Sequence, residues 1–184
     1  MALLKKGHWK VSDTDLIYNS PWLKLYEDQV VDPAGVTGVF NYVELRDGVS
    51  VLPMINETDV CLIREFRYAI GRESIEVITG GLLNPSEDPL EAAKRELKEE
   101  VGGIAADWEY FGTFNPFPDK LKQTDRMYIA KNIQFTEQNL DPCERLTVMC
   151  VPLATAVGWV MDGTITHASS CCLILKADKL QKTG

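Results

Sequence analysis

The first half of the chain contains short segments in which apolar and polar residues alternate, each closed by turn-forming residues. A period of two is typical of β-strands with one buried face. The clearest interruption is Asp-Pro-Ala-Gly at 32–35, a strong turn signal. The pattern therefore predicts a hairpin-rich N-terminal half with strands at 22–31, 39–45, 49–55 and 60–66.

The pattern changes to a helical period after residue 87. Asp88 is a good N-cap residue, and Pro89 suits the first helical position. Gly102 and Gly103 can supply the left-handed stop that ends a helix. One apolar face follows from spacings of three and four residues, at Leu90, Ala93, Leu97 and Val101. We expect a helix from Pro89 to about Val101.

Later segments continue the alternation of strand and helix patterns. Strands are predicted at 108–114, 126–133 and 146–151, and helices at 153–161 and 168–180. A mixture of hairpins and crossover helices indicates an α/β (α+β) fold in which a mixed sheet is flanked by helices.

Composition narrows the function classes. The net charge is -8, with 27 acidic and 19 basic residues, which disfavours nucleic-acid binding. No segment is long and apolar enough for a membrane span or a secretory signal, so we expect no membrane association. The five cysteines have no metal-type spacing, and we expect them to be buried reduced thiols of a cytoplasmic protein.

The predicted helix carries acidic residues beside its apolar face. Glu96 and Glu100 stand one turn apart, so their carboxylates converge at the rim of the core. Like charges repel more strongly as burial lowers the dielectric constant, and a cation must then compensate. An all-oxygen cluster suits a hard cation such as Mg²⁺. Arg95 can contact Glu99 at i,i+4.

A solvated helix face is the alternative interpretation of this charged run, and taken alone the run favours it. The spacing of a larger set of residues, inside and outside the helix, argues against the solvated-face interpretation. From average residue frequencies, the set occurs by chance about once in ten million chains of this length. Its members are Gly81, Glu87, Arg95, Glu96, Leu97, Glu99, Glu100 and Gly102.

This segment resembles the Nudix box, a loop-helix-loop motif whose carboxylates bind metal around a diphosphate. The resemblance covers most of the chain and implies the Nudix fold, with Mg²⁺, or alternatively Mn²⁺, as cofactor. It implies metal ligands at the Gly80 carbonyl, Glu96 and Glu100, with Glu99 and Glu144 as further candidates.

Two segments, 62–68 and 75–81, resemble the Nudix branch that hydrolyses ADP-ribose and nucleoside diphosphate sugars. In that branch an arginine at the Arg67 position contacts phosphate, and Arg64 is a second candidate in the same segment. The stretch 141–144 resembles an acidic loop that supplies a catalytic base or a metal ligand. Glu144 and Glu99 are therefore both candidates for the base.

The N-terminal region resembles the exchanged sheet through which this branch forms homodimers. The resemblance implies an N-terminal β extension for dimerisation at 1–45 and a Nudix hydrolase domain at 46–184. Trp22 or Trp9 is a candidate for stacking on a nucleobase, although burial statistics favour a core position for each. Arg126 is either a substrate contact or one half of a surface ion pair.

The resulting hypothesis is metal-dependent hydrolysis of a nucleotide sugar, such as ADP-ribose or GDP-mannose, to a nucleoside monophosphate and a sugar phosphate. One alternative within the enzyme class is a nucleoside triphosphate or dinucleoside polyphosphate hydrolase. Another is a non-catalytic sensor of nucleotide sugars, which the crowded carboxylates disfavour because they are costly without metal.

Overall fold

A computed structural model describes residues 4–140 and 145–182. The strands are β1 (Leu4–Lys6), β2 (Trp9–Asn19), β3 (Leu23–Val31), β4 (Thr37–Leu45), β5 (Gly48–Pro53), β6 (Asp59–Arg67), β7 (Arg72–Glu76), β8 (Ile78–Gly81), β9 (Gly103–Phe114), β10 (Leu121–Lys122), β11 (Asp125–Phe135) and β12 (Leu146–Pro152). The helices are α1 (Pro89–Val101), α2 (Leu153–Met161) and α3 (Ala168–Gln181).

The chain divides into two compact units. The first comprises the residues up to Arg46 together with Asn115–Thr124, and the second comprises Asp47–Phe114 and the residues from Asp125 onward. In the first unit, one sheet has the strand order β1-β2-β3-β4-β10. The pairs among β1 to β4 are antiparallel, whereas the short β10 runs parallel to β4.

Strands β3 and β4 agree with the predicted segments, and Asp32 closes the turn between them by accepting a 2.8 Å hydrogen bond from the Val36 amide. Strand β2 was not predicted. Of its side chains only Val11 is buried, so its sequence lacks the alternation that a half-buried strand shows.

The second unit contains the sheets β8-β5-β11-β9 and β12-β6-β7. At the centre of the first, β5 and β11 pair in parallel, and every residue of β5 is buried. Alternate positions of β5 face different helices: Val49 and Val51 pack with α1, whereas Leu52 packs with α2 and α3. Helices cover both faces, and the predicted fold class is confirmed.

Strands β7 and β8, which the sequence did not predict, occupy the region 72–81. Two sequence expectations need correction in this unit. Gly103 is the first residue of β9, so Gly102 alone ends α1. The prediction that the cysteines are buried reduced thiols was only partly right: the four described cysteines are free, but Cys150 and Cys172 are exposed.

Candidate active site

Helix α1 begins and ends at the residues that the sequence predicts. The Asp88 carboxylate accepts hydrogen bonds from the backbone amides of Leu90 (2.8 Å) and Glu91 (3.2 Å). Gly102 takes the left-handed conformation at φ 68°, where a side chain would be strained. These caps hold the orientation in which α1 presents its acidic residues.

Glu96 and Glu100 lie on successive turns of α1, and both are buried, with 8% and 3% of their surface exposed. The solvated-face interpretation is therefore wrong for these two residues, although it holds for Lys98, which is exposed. Burying two carboxylates side by side is unfavourable unless positive charge compensates them.

Gly80, in β8, brings the backbone against the Glu96 carboxylate. A Cβ atom built at Gly80 would lie 1.9 Å from both Cδ and Oε1 of Glu96. Strand β8 is held there by its pairing with β5, in which Gly80 lies opposite Val49. The absence of a side chain at residue 80 thus makes room for the carboxylate.

Arg95 forms ion pairs with three glutamates, one of which is Glu96. Its Nη1 donates to Glu96 Oε1 at 2.7 Å and to Glu99 Oε2 at 3.1 Å, which confirms the predicted Arg95–Glu99 contact. Its Nη2 donates to the Gly81 carbonyl at 3.1 Å, and its Nε donates to Glu87 Oε1 at 3.4 Å. Burial acts to lower the pKa of Arg95, but Glu96, Glu87 and Glu99 together outweigh it and the pKa is raised.

The other oxygen of Glu87 anchors the loop before α1. Its Oε2 accepts a 2.5 Å hydrogen bond from the Leu83 amide. Glu87 therefore links the segment after β8 to Arg95 on α1, which explains why the motif contains a glutamate eight positions before this arginine.

The donor set around α1 suits a divalent cation. Glu96 and Glu100 provide hard oxygen donors, and the Gly80 backbone is packed against one of them. Over residues 4–140 and 145–182, no group of three or more His, Cys, Asp or Glu side chains is arranged to hold a metal ion. Two carboxylates nevertheless fit Mg²⁺, which fills its remaining positions with waters and phosphate oxygens. Glu144 falls outside the described residues.

Arg67, at the end of β6, is held by two glutamates. Its Nε and Nη2 donate to Glu76 at 3.0 and 2.7 Å, and its Nη1 lies 2.7 Å from Glu65 Oε2. The hydrogen bond with Glu76 is the main reason that the pKa of Arg67 is raised, and Glu100 also contributes. Arg67 is thus within electrostatic range of the Glu100 carboxylate on α1.

Glu76 had no assigned role in the sequence interpretation. It is buried, and burial alone would raise its pKa, but the hydrogen bonds and charge of Arg67, together with His167 and Ser74, outweigh burial and lower it. A glutamate between Ile75 and the apolar pair Val77-Ile78 was the sequence signal that could have identified it.

The remaining predicted residues lie as follows. Arg64 is exposed on β6, opposite Thr147. Arg126 donates from Nη1 to Asp47 Oδ2 at 3.2 Å, which is the ion pair that the sequence left as an alternative.

Trp22 and Trp9 are 74% and 40% exposed, so the core interpretation is wrong for both. Both lie in the first unit, where few residues are buried.

A second buried polar cluster was not foreseen. Asp125 accepts a 2.5 Å hydrogen bond from Ser50, and Ser50 Oγ lies 3.1 Å from Ser169 Oγ. Ser170 contacts His167 Nδ1 at 2.8 Å. Burial raises the pKa of Asp125 to about 6, although the Ser50 hydrogen bond acts in the opposite direction. Serines within apolar segments gave no distinct sequence signal.

Asp125 is expected to make the protein less stable as pH rises. Its pKa is higher in the folded chain, about 6, than in the unfolded chain, where the ordinary value is 3.8. Its contribution is therefore complete below about pH 4 and is lost between pH 4 and 6, about 2 to 3 kcal/mol in total. Asparagine does not titrate, so the Asp125→Asn variant does not lose this stability as pH rises. The Tm of the variant minus the Tm of the wild type should therefore increase by about 5 °C between pH 4 and 7. Calorimetric melting across that range checks this, and a constant difference would contradict it.

Comparison with known proteins agrees with this geometry. A family model described as a NUDIX domain matches residues 44–161, which include α1 and the strands around it. The fold and the carboxylate-bearing helix are those of a Nudix domain, and the chain belongs to the Nudix family.

The individual proteins that the chain resembles share only modest sequence identity with it. The chain is 27% identical over 158 residues to the methanol dehydrogenase activator of Bacillus methanolicus, covering 85% of each protein. It is 27% identical over 173 residues to the ADP-ribose pyrophosphatase of Bacillus subtilis (strain 168), covering 93% of each. The crystal structure of an ADP compounds hydrolase has the same fold, with a TM-score of 0.83 at 22% identity over 100% of this chain and 97% of that one.

Proposed function

We propose that this protein hydrolyses the pyrophosphate bond of ADP-ribose or a related nucleoside diphosphate sugar, such as GDP-mannose, to a nucleoside monophosphate and a sugar phosphate. The observation that carries this proposal is the pair of buried carboxylates on α1. Glu96 packs against the Gly80 backbone, and Glu100 is within electrostatic range of Arg67. Likeness to an ADP-ribose pyrophosphatase over nearly the whole chain favours the same substrate class.

The charges of the site suit a diphosphate. Mg²⁺, or alternatively Mn²⁺, held by Glu96 and Glu100 would supply charge neutralisation and polarise the phosphoanhydride. We propose the Gly80 carbonyl, Glu99 and Glu144 as additional ligands.

Arginine and glutamate side chains of the protein supply the substrate contacts and the base. Arg67 binds a phosphate oxygen, because Glu65 and Glu76 hold its guanidinium in a defined orientation. Arg64 and Arg126 are further substrate candidates. Glu99 or Glu144 orients the attacking water as base. Glu99 is 32% exposed at its side chain, so water can reach it.

We propose a homodimer formed through an N-terminal extension at 1–45, with the hydrolase domain at 46–184. In support, β2 exposes the apolar side chains of Leu16, Ile17 and Tyr18. Trp22, whose ring lies 5.9 Å from Arg46 Cζ, would contact the nucleobase in such a dimer. Exposed apolar patches often mark surfaces that bind another protein chain.

We propose a cytoplasmic location, because the described cysteines are free. Across the described parts of the chain, none of the helices combines the length and apolar character needed to span a bilayer. The net charge of -8 supports a small-molecule substrate and not a nucleic acid.

A substrate panel tests the proposed activity. ADP-ribose, GDP-mannose, ADP-glucose and nucleoside triphosphates are incubated with the protein, with Mg²⁺ and with a chelator, and the products are separated by ion-exchange chromatography. We expect Mg²⁺-dependent release of nucleoside monophosphate, with kcat/KM for a diphosphate sugar about tenfold or more above that for any triphosphate. A triphosphate preference would support the alternative hydrolase class. Tight calorimetric binding of ADP-ribose without turnover would support the sensor.

A further inference from the structure

Two cysteines from distant parts of the sequence meet in the sheet β12-β6-β7. Cys61 in β6 lies directly opposite Cys150 in β12, and their Sγ atoms are 3.1 Å apart. Cys61 is fully buried, whereas Cys150 is exposed. Neither residue belongs to the site around α1, and one thiol donates a weak hydrogen bond to the other.

The strand register satisfies the requirements of a covalent link. Directly opposed residues in an antiparallel pair have Cα atoms about 4.5 to 5.5 Å apart. Disulfides accept Cα distances of about 4.4 to 6.8 Å. The two sulfurs need to approach by only about 1 Å to reach bonding distance. Rotation of the side chains can supply this movement while the strands remain paired.

We propose that Cys61 and Cys150 form an oxidisable dithiol, which a hydroperoxide converts to a disulfide joining β6 to β12. The exposed Cys150 thiolate attacks the peroxide, so that an S–O bond forms and the O–O bond breaks. The leaving oxygen departs as water or an alcohol after taking a proton. Cys150 is then a sulfenic acid.

Cys61 completes the reaction. Its sulfur attacks Cys150 Sγ, the S–S bond forms, the S–O bond breaks, and the released hydroxide takes the Cys61 proton and leaves as water. Each sulfur loses one electron and the peroxide gains two. Burial, and then the neighbouring Cys150, raise the pKa of Cys61, so Cys61 stays protonated and is not the first thiol to react.

The disulfide should stabilise the folded chain. It would close a loop of 89 residues, which restricts the unfolded chain far more than the folded one. We expect the Tm of the oxidised protein to exceed that of the reduced protein by roughly 10 °C. A thiol reductant should reverse the increase.

The test is treatment of the full-length protein with a small molar excess of hydrogen peroxide, followed by intact mass measurement and peptide mapping without reductant. We expect the mass to fall by about 2 Da, two cysteines to resist alkylation, and one linked peptide to contain Cys61 and Cys150. Cys150→Ser should abolish the link and the Tm increase. Cys172→Ser, which removes another exposed thiol, should retain both.

Two outcomes would overturn the proposal. One is a linked peptide that joins Cys150 to Cys143 or to a cysteine of α3, with Cys61 still alkylated. The other is formation of sulfinic acid at Cys150 while Cys61 remains a thiol, at a peroxide dose that already oxidises Cys172. Because Cys150 is exposed, its replacement by serine should not unfold the chain, and equal melting of the reduced wild type and variant verifies this.

Discussion

Glu100→Gln is expected to reduce kcat for pyrophosphate hydrolysis by a factor on the order of 10³ or more. Glutamine keeps the size of the side chain and its place in the interior, where only 3% of the residue is exposed. It removes the negative charge that a divalent cation requires. Affinity for Mg²⁺, measured by calorimetry, should fall with the rate, because one of two hard anionic donors is lost.

The same variant carries an internal control for folding. Without divalent cations, Glu100→Gln should melt at or above the temperature of the wild type, because it removes one of two adjacent buried carboxylates. Glu109→Gln is the matched substitution, since Glu109 is exposed and paired with Lys131. We expect Glu109→Gln to keep nearly full activity. Near-full activity of Glu100→Gln would show that this carboxylate does not serve the reaction.

Gly80→Ala is expected to lower kcat/KM by about 100-fold or more and to weaken Mg²⁺ binding. The added Cβ would lie 1.9 Å from Glu96 Cδ, a distance at which either β8 or the carboxylate must move. Displacing a group that binds substrate or metal by about 1 Å can cost about two orders of magnitude in rate. Overpacking of this kind also costs about 1 to 3 kcal/mol of stability.

Gly81→Ala is the control for this prediction. The neighbouring glycine has no heavy atom within 4 Å of an added Cβ, and neither glycine has a positive φ. Both substitutions therefore change backbone freedom alike, and only the one at Gly80 meets Glu96. Steady-state kinetics and Mg²⁺ titration of the pair should separate them, and equal loss of activity in both would exclude the steric explanation.

Much of the local structure follows from short-range chemistry in the sequence. The helix α1 is encoded by its apolar period, by the Asp88 cap and by Gly102, all of which act within a few residues. The spacing of Glu96 and Glu100 places them on one side of that helix whatever packs against it. The family followed from the same segment, because its residue spacing is too specific to arise by chance.

The functional environment of those residues depended on contacts between distant segments. Burial of Glu96 against Gly80 requires β8 to pair with β5 in one register, and the Arg67–Glu76 pair requires β6 to lie beside β7. The opposition of Cys61 and Cys150, 89 residues apart, depends on the register of β6 and β12. Side-chain period and capping act over neighbouring turns, whereas strand register is selected by the packing of the whole core, so only the tertiary structure could reveal these contacts.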